Sequence, residues 1–305
     1  MSFSVLAAEA VSGVSTRTHD ANWFLENAWI IPLLPALSFL VILFFGKRMP
    51  KKGAEVGIAA VGISFILAVL TGFAWIDHRD NFELDGGHAE HAIVADGSTA
   101  TDQLILTADA GHAATHPYVA VQNSTQWWQS GGIQFDAGIL VDGLSVMMLF
   151  VVTLISLLVH VYSTDYVGGD RRFTHYFAFL SLFTASMLFF VLSDNILQMI
   201  VGWELVGVCS FALIGHWWEE KPNSDAALKA FLTNRVGDIG LLVGMITLFF
   251  AAGGGKTFDT ITINENIVQG TVGHTALVVA AVSLTAAVMS KSGQFILHTW
   301  LPDAM

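Results

Sequence analysis

Polar and apolar positions alternate slowly along this chain, in long apolar runs separated by short polar breaks. The runs occupy 28–45, 54–76, 138–162, 173–192, 195–217, 226–251 and 275–301. Each approaches or exceeds the roughly 20 apolar residues that carry a helix across a bilayer. None shows the period-two alternation of a membrane barrel strand. The pattern predicts an all-α integral membrane protein of about seven transmembrane helices. Pro32 and Pro35 predict a kink near the start of the first span, and glycines in the second predict close helix–helix packing.

The polar segments set the expected organisation. Residues 1–27 read as a short external tail, because Met1–Ala10 lacks the basic start of a signal peptide. Spans one and two fill 28–76, a long acidic loop containing histidines fills 77–137, and 138–305 holds the remaining helices.

Composition agrees with a membrane protein. Hydrophobic residues make up 54% of the 305 and charged residues 12%, with a mean hydropathy of +0.62. A soluble domain carries about twice that share of charge. The single cysteine, Cys209, lies in an apolar run, which excludes an internal disulfide and argues against a cysteine-based zinc or iron–sulfur site. The stretch "AAGGGKT" (251–257) resembles the tail of a phosphate-binding loop, but Phe250 stands where that loop needs glycine. No dinucleotide fingerprint or serine-hydrolase elbow is present.

The net charge of −12 is unevenly spread. Lys47, Arg48, Lys51, Lys52, Arg171, Arg172, Lys221 and Lys229 fall on one side of the predicted membrane, whereas Arg17, Arg79 and Lys256 fall on the other. The positive-inside rule places the first group in the cytoplasm and the N-terminus outside, in a cell (plasma or inner) membrane. The 77–137 loop is then external. Its Asp85, Glu90, Asp96, Asp102, Asp109, His88, His91, His112 and His116 are metal-ligand types. Their spacing is irregular, and a solvated acidic loop is the reading that follows.

Four ionisable residues lie deep in predicted spans: Glu204 in "MIVGWELVGVCSF", Arg235 and Asp238 in "FLTNRVGDIGLL", and Lys291 in "VMSKSGQF". Glu204 is some nine residues into its span, or ~14 Å at ~1.5 Å per residue. A charge at such depth costs on the order of 2.5–3.5 kcal/mol, so each needs a partner, water or a function. Arg235 and Asp238, three apart, can pair on one helix. Glu204 and Lys291 sit on separate spans. Burial disfavours a lysine's charged form and a nearby carboxylate favours it, so a lysine with a switchable carboxylate partner can release and recapture a proton. The inert alternative is an ion-pair lattice that only locks helices together.

Ser290, Ser292 and Gly293 around Lys291 loosen a helix. A break in the seventh span is expected there, of the kind that places free backbone groups at an ion site. His298 adds a titratable group two turns on, and His160 is a weaker relay candidate near the inner end of span three.

The stretches 141–167, 194–218 ("DNILQMIVGWELVGVCSFALIGHWW"), 226–242 ("AALKAFLTNRVGDIGLL") and 291–305 ("KSGQFILHTWLPDAM") closely resemble the L subunit of proton-pumping NADH–quinone oxidoreductase, respiratory complex I. That resemblance implies an antiporter-like helix bundle in a membrane arm, with the relay glutamate and lysine at Glu204 and Lys291. It also implies a subunit of a translocase whose NAD, FMN, iron–sulfur clusters and quinone belong to partner subunits. No cofactor, metal or redox site is expected in this chain. The expected partners are the other membrane-arm subunits, the lipid bilayer and protons, with no nucleic acid. The family continues beyond the position of Met305 into further helices, so an incomplete bundle is expected. Ser290 and Ile296 stand where the family commonly has glycine and proline. The alternative is the large subunit of a multisubunit sodium/proton antiporter, which shares the glutamate–lysine arrangement.

Overall fold

The computed structural model describes residues 16–17, 22–92 and 119–304. In chain order its elements are β1 (Thr16–Arg17), α1 (Trp23–Glu26), α2 (Ile30–Phe45), α3 (Ala54–Ala92), β2 (Val119–Ser130) and β3 (Ile133–Val141). There follow α4 (Gly143–Tyr166), α5 (Phe173–Val191), α6 (Ile196–Ile214), α7 (Lys221–Ala251), α8 (Thr260–Val268), α9 (His274–Lys291) and α10 (Leu301–Ala304). Seven helices are long and apolar enough to span a membrane: α2 to α7 and α9, with Ala54–Asp80 as the apolar part of α3. Their outer faces carry large exposed apolar side chains such as Phe44, Phe73 and Val236, as suits contact with lipid.

The two prolines are accommodated differently. Pro32 lies in the first turn of α2, where an amide hydrogen would have no intrahelical partner. Pro35 lies inside the helix and leaves the Ile31 carbonyl without its usual i+4 donor. Ser64, fully buried on α3, donates its Oγ to that carbonyl at 2.9 Å. One substitute bond closes the gap and ties span one to span two.

The chief departure from the expected layout is a β-hairpin. Residues 119–141 alternate well enough to pair: Val121 faces Val141, Asn123 faces Ile139 and Thr125 faces Ala137. Gly131 and Gly132, at φ +59° and +85°, form the two-residue turn such hairpins require. Span three therefore starts at Gly143 rather than 138, because 133–141 are strand. Asp142 caps it, accepting from Ser145 N at 2.7 Å while Ser145 Oγ accepts from Asp142 N, a reciprocal capping box. Span two continues as helix to Ala92. The side chains of the acidic, histidine-containing segment lie outside the described residues.

The hairpin packs on one end of the bundle. Leu140 N donates to Leu192 O at 2.9 Å, and the Gln198 amide on α6 makes two bonds to the Gly138 backbone, at 2.8 and 3.1 Å. Gly138 is required there, since a Cβ would collide with Asp194 Oδ2 and Asn123 O. A core of Leu25, Ile31, Trp75, Val141, Leu149 and Leu188 lies beneath. The opposite end gathers the basic connections: Thr174 Oγ1 donates to Lys52 O, Trp217 Nε1 donates to Asp170, and Arg172 bonds both Glu219 and the His216 carbonyl. The loops the sequence assigned to one side thus meet at one end.

Candidate functional site

The four deep charges converge where α6, α7 and α9 meet. Helix α9 lies close on α7 because glycines on α7 leave room for it. A Cβ at Gly237 would overlap Ser290 Oγ, and one at Gly240 or Gly244 would press on the Ser283 carbonyl or the Leu284 side chain. This contact seats Lys291, beside Ser290, against α6, where a Cβ at Gly207 would come within 2.9 Å of its Nζ.

Arg235 is the hub. Its Nη1 donates to Glu204 Oε1 at 2.5 Å across the α6–α7 contact and lies 3.6 Å from Asp238 Oδ2 on its own helix. Asp238, with its side chain only 5% exposed, also accepts from Trp203 Nε1 at 2.7 Å. Lys291 makes no ion pair among the described residues. Its Nζ lies over the Trp203 ring at 5.4 Å from the centroid, a cation–π contact, within the fields of Asp238 and Glu204. A cavity of about 10 Å³ lies among Glu204, Asn234, Arg235, Asp238 and Lys291, about the space one water needs. The buried Asn234 Oδ1 has no hydrogen-bond partner among the described residues and can hold such a water.

The arrangement refines the expected one. Glu204 does not face Lys291 directly, because Arg235 occupies its carboxylate. Arg235 pairs more tightly with Glu204 than with Asp238, the partner its sequence spacing offers. The seventh span does break: α9 stops at Lys291. Gln294 N donates to Met289 O at 2.9 Å and Gly293 N to Ser290 O at 3.2 Å, with Gly293 at φ +57°, which is a Schellman cap. Trp300 Nε1 then takes the Ser290 carbonyl at 3.0 Å. Ile296, where the resemblance leads one to expect proline, sits at φ +82°, a conformation proline cannot adopt.

His298 lies beyond the break, exposed and stacked on Phe295. His160 lies on α4, fully buried among α3, α4 and α5, in a separate polar row. Sequence reasoning missed Trp203, Gly207 and Asn234. Trp203 had a visible signal, an indole N–H beside a deep glutamate in an apolar helix.

A larger cavity, about 590 Å³, lies elsewhere. It opens between α2, α5, α6 and the hairpin, and no titratable residue lines it.

Both ends of the bundle carry shifted groups. At the basic end, the Arg172 backbone N–H and then the Trp217 indole hold the Asp170 carboxyl below its ordinary range. Burial lowers His216, with Asp170 opposing and Arg172 adding to the shift. At the hairpin end, burial raises Asp194, which is 1% exposed and bonded to Asn195.

Residues 193–305 match the family described as "NADH:quinone oxidoreductase/Mrp antiporter, TM". Residues 127–177 match "NADH-Ubiquinone oxidoreductase (complex I), chain 5 N-terminus". The chain is 36% identical over 298 residues to F(420)H(2) dehydrogenase subunit L of Methanosarcina mazei, a match covering 92% of this chain and 38% of that one. It is 34% identical over 288 residues to NAD(P)H-quinone oxidoreductase chain 5 of Synechocystis sp., covering 92% of this chain and 37% of the relative. The chain thus spans less than half the length of these relatives. Its fold is similar to a chain of the Mrp complex from Dietzia sp. DQ12-45-1b, with a TM-score of 0.63 at 22% identity, covering 90% of this chain and 25% of that one.

Proposed function

We propose that this chain, which belongs to the family of membrane subunits shared by NADH:quinone oxidoreductases and Mrp antiporters, moves protons through Glu204, Arg235, Asp238 and Lys291. In this reading it is a membrane-arm subunit of a quinone oxidoreductase, as the name of its Synechocystis relative suggests. The neighbouring membrane-arm subunits are its partners, and NAD, FMN, iron–sulfur clusters and quinone are held elsewhere in the complex. Proton transfer here is driven at a distance. The basic end faces the cytoplasm, the N-terminus lies outside, and the membrane is the cell membrane.

The observation that carries the proposal is the state of Lys291: it sits beside two carboxylates, both engaged by Arg235, with no ion pair of its own among the described residues. The Arg235 guanidinium does not give up a proton, so it serves as a movable counter-charge. When it closes on one carboxylate, the other is free to turn to Lys291 and hold its proton. When it shares both, Lys291 loses that support and its proton leaves through the water-sized space beside Asn234. His298 and His160 lie off this cluster, and neither is a step in the cycle.

Glu204→Gln and Lys291→Met, each in the assembled complex, test the reading. Both are expected to assemble and to lose at least about tenfold in proton transfer, or ~1.4 kcal/mol. A helix-locking lattice predicts poor assembly with normal pumping per electron. The antiporter reading is kept because the matched family description and the similar fold both include Mrp complexes. Co-purification separates the two, since dehydrogenase subunits support the first and antiporter subunits the second.

A further inference from the structure

A second buried polar row crosses α4 and α5, away from the Glu204 cluster. At the basic end, His216 is 5% exposed; its Nε2 lies a long 3.5 Å from Asp170 Oδ2 and its Nδ1 has no hydrogen-bond partner among the described residues. A buried ring nitrogen in that condition calls for water. The His216 ring meets Tyr176 edge-on at 5.4 Å, and the Tyr176 hydroxyl bonds Ser163 Oγ across the helix pair at 3.2 Å. One turn deeper on the same face of α4 is His160, at 0% exposure.

His160 is connected on both sides. Its Nδ1 is 2.8 Å from the Ser156 carbonyl and so carries the hydrogen, which leaves Nε2 to accept from Ser181 Oγ at 3.3 Å. Ser156 Oγ lies 3.3 Å from the same Nδ1 and 2.5 Å from Thr184 Oγ1. Ser156 is ten residues inside the end of α4, a depth of about 15 Å at ~1.5 Å per residue, near the bilayer middle. Gly57 on α3 closes the other side, since a Cβ there would lie 3.1 Å from Ser181 Oγ and 3.2 Å from His160 Cδ2.

We propose that the row from His216 through Tyr176 and Ser163 to His160, Ser156 and Thr184 is a second proton-conducting file that enters the bundle from its basic end. Imidazole, hydroxyl and water each both donate and accept, as a relay requires. In one step Ser181 Oγ gives its proton to His160 Nε2 and takes another from water on the Ser163 side. His160 then gives its Nδ1 proton to Ser156 Oγ, Ser156 passes its own proton to Thr184 Oγ1, and Thr184 releases its own to water beyond the file. One proton enters, one leaves, and nothing is oxidised. Hydroxyls that only satisfied local carbonyls would not need the cross-helix Tyr176–Ser163 bond.

The file rests on the reading of the chain as a proton translocator, and the two are tested separately. The full chain is purified with its membrane partners and reconstituted in liposomes with an internal pH dye, under an imposed potassium diffusion potential. Tyr176→Phe keeps the ring and removes the hydroxyl; His160→Gln keeps hydrogen bonding and removes the relay. Each is expected to lower proton flux about tenfold, within the range of general acid–base effects. Deuterium exchange at the imidazole C2 position, read by mass spectrometry, is expected at His160 in the native chain and slowed in Tyr176→Phe. Should His160→Gln not fold, Tyr176→Phe and the native exchange decide the matter. Unchanged flux in assembled Tyr176→Phe, or a native His160 that does not exchange, overturns the file. If Glu204→Gln abolishes flux in that case, the Glu204 relay still stands. If Glu204→Gln leaves flux intact while Tyr176→Phe lowers it, the relay is wrong and the file is right.

Discussion

Arg235 of α7 closes on Glu204 of α6 at 2.5 Å, so the carboxylate that a simple glutamate–lysine pair needs is already engaged by a third residue. The same guanidinium lies 3.6 Å from Asp238. Removing it leaves two carboxylates and one lysine, and Lys291 is then permanently paired. Arg235→Gln is therefore expected to assemble and to lose about tenfold or more in proton transfer, or ~1.4 kcal/mol. The measurement is pumping per electron in the purified complex. Native pumping in this variant shows that Arg235 is not the movable counter-charge.

Ser64 and Pro35 form a second testable unit. Ser64→Ala leaves the Ile31 carbonyl buried without a donor, at a cost of about 1–3 kcal/mol. Pro35→Ala restores an amide hydrogen for that carbonyl, so Ser64→Ala should cost much less in its presence. Thermal unfolding of the two single variants and the double variant in one detergent measures the coupling. Additive losses contradict the substitution of one donor for the other.

The basic end should loosen on mild acidification. Burial holds His216 below the ordinary histidine value of 6.5, so the unfolded chain takes the proton first. Stability from this group is full above pH 6.5 and is lost as pH falls from there through the lower folded value. Asp170 acts in the same direction at lower pH, below the carboxylate value of 3.8, because its folded pKa is also depressed. His216 is faced by Asp170, Arg172 and His175. Hydrogen-exchange protection at 167–172 and 215–220, taken relative to the intrinsic rate at each pH, is expected to fall between about pH 7 and 5 in the native chain and to change little in His216→Gln. Equal pH dependence in both places the titration on another group.

Much of this was legible in the sequence for a simple physical reason. A bilayer demands long apolar runs, so the spans stood out, and the price of an isolated charge in lipid drew attention to Glu204, Arg235, Asp238 and Lys291. Depth along a helix gives height but not azimuth. That is why Arg235 between Glu204 and Asp238, and Trp203 beneath Lys291, appear only once α6, α7 and α9 are packed. The hairpin was hidden differently. The Val121, Ile139 and Val141 alternation and the Gly131–Gly132 turn were present, but they adjoined an acidic stretch and a span, and the neighbours set the reading. The break after Lys291 was visible in Ser292 and Gly293, whereas the positive φ at Ile296 runs against every local preference of a β-branched residue.

Proton release from Lys291 is the proposed step on which the relay depends, and Lys291→Arg tests it. Arginine keeps the positive charge and the reach but stays protonated. The decisive measurement is protons translocated per electron by the assembled Lys291→Arg complex, beside the native one. If Lys291 must release its proton, the complex stays intact and pumping falls at least about tenfold, or ~1.4 kcal/mol. Native stoichiometry with arginine at this position would show that Lys291 is only a fixed charge.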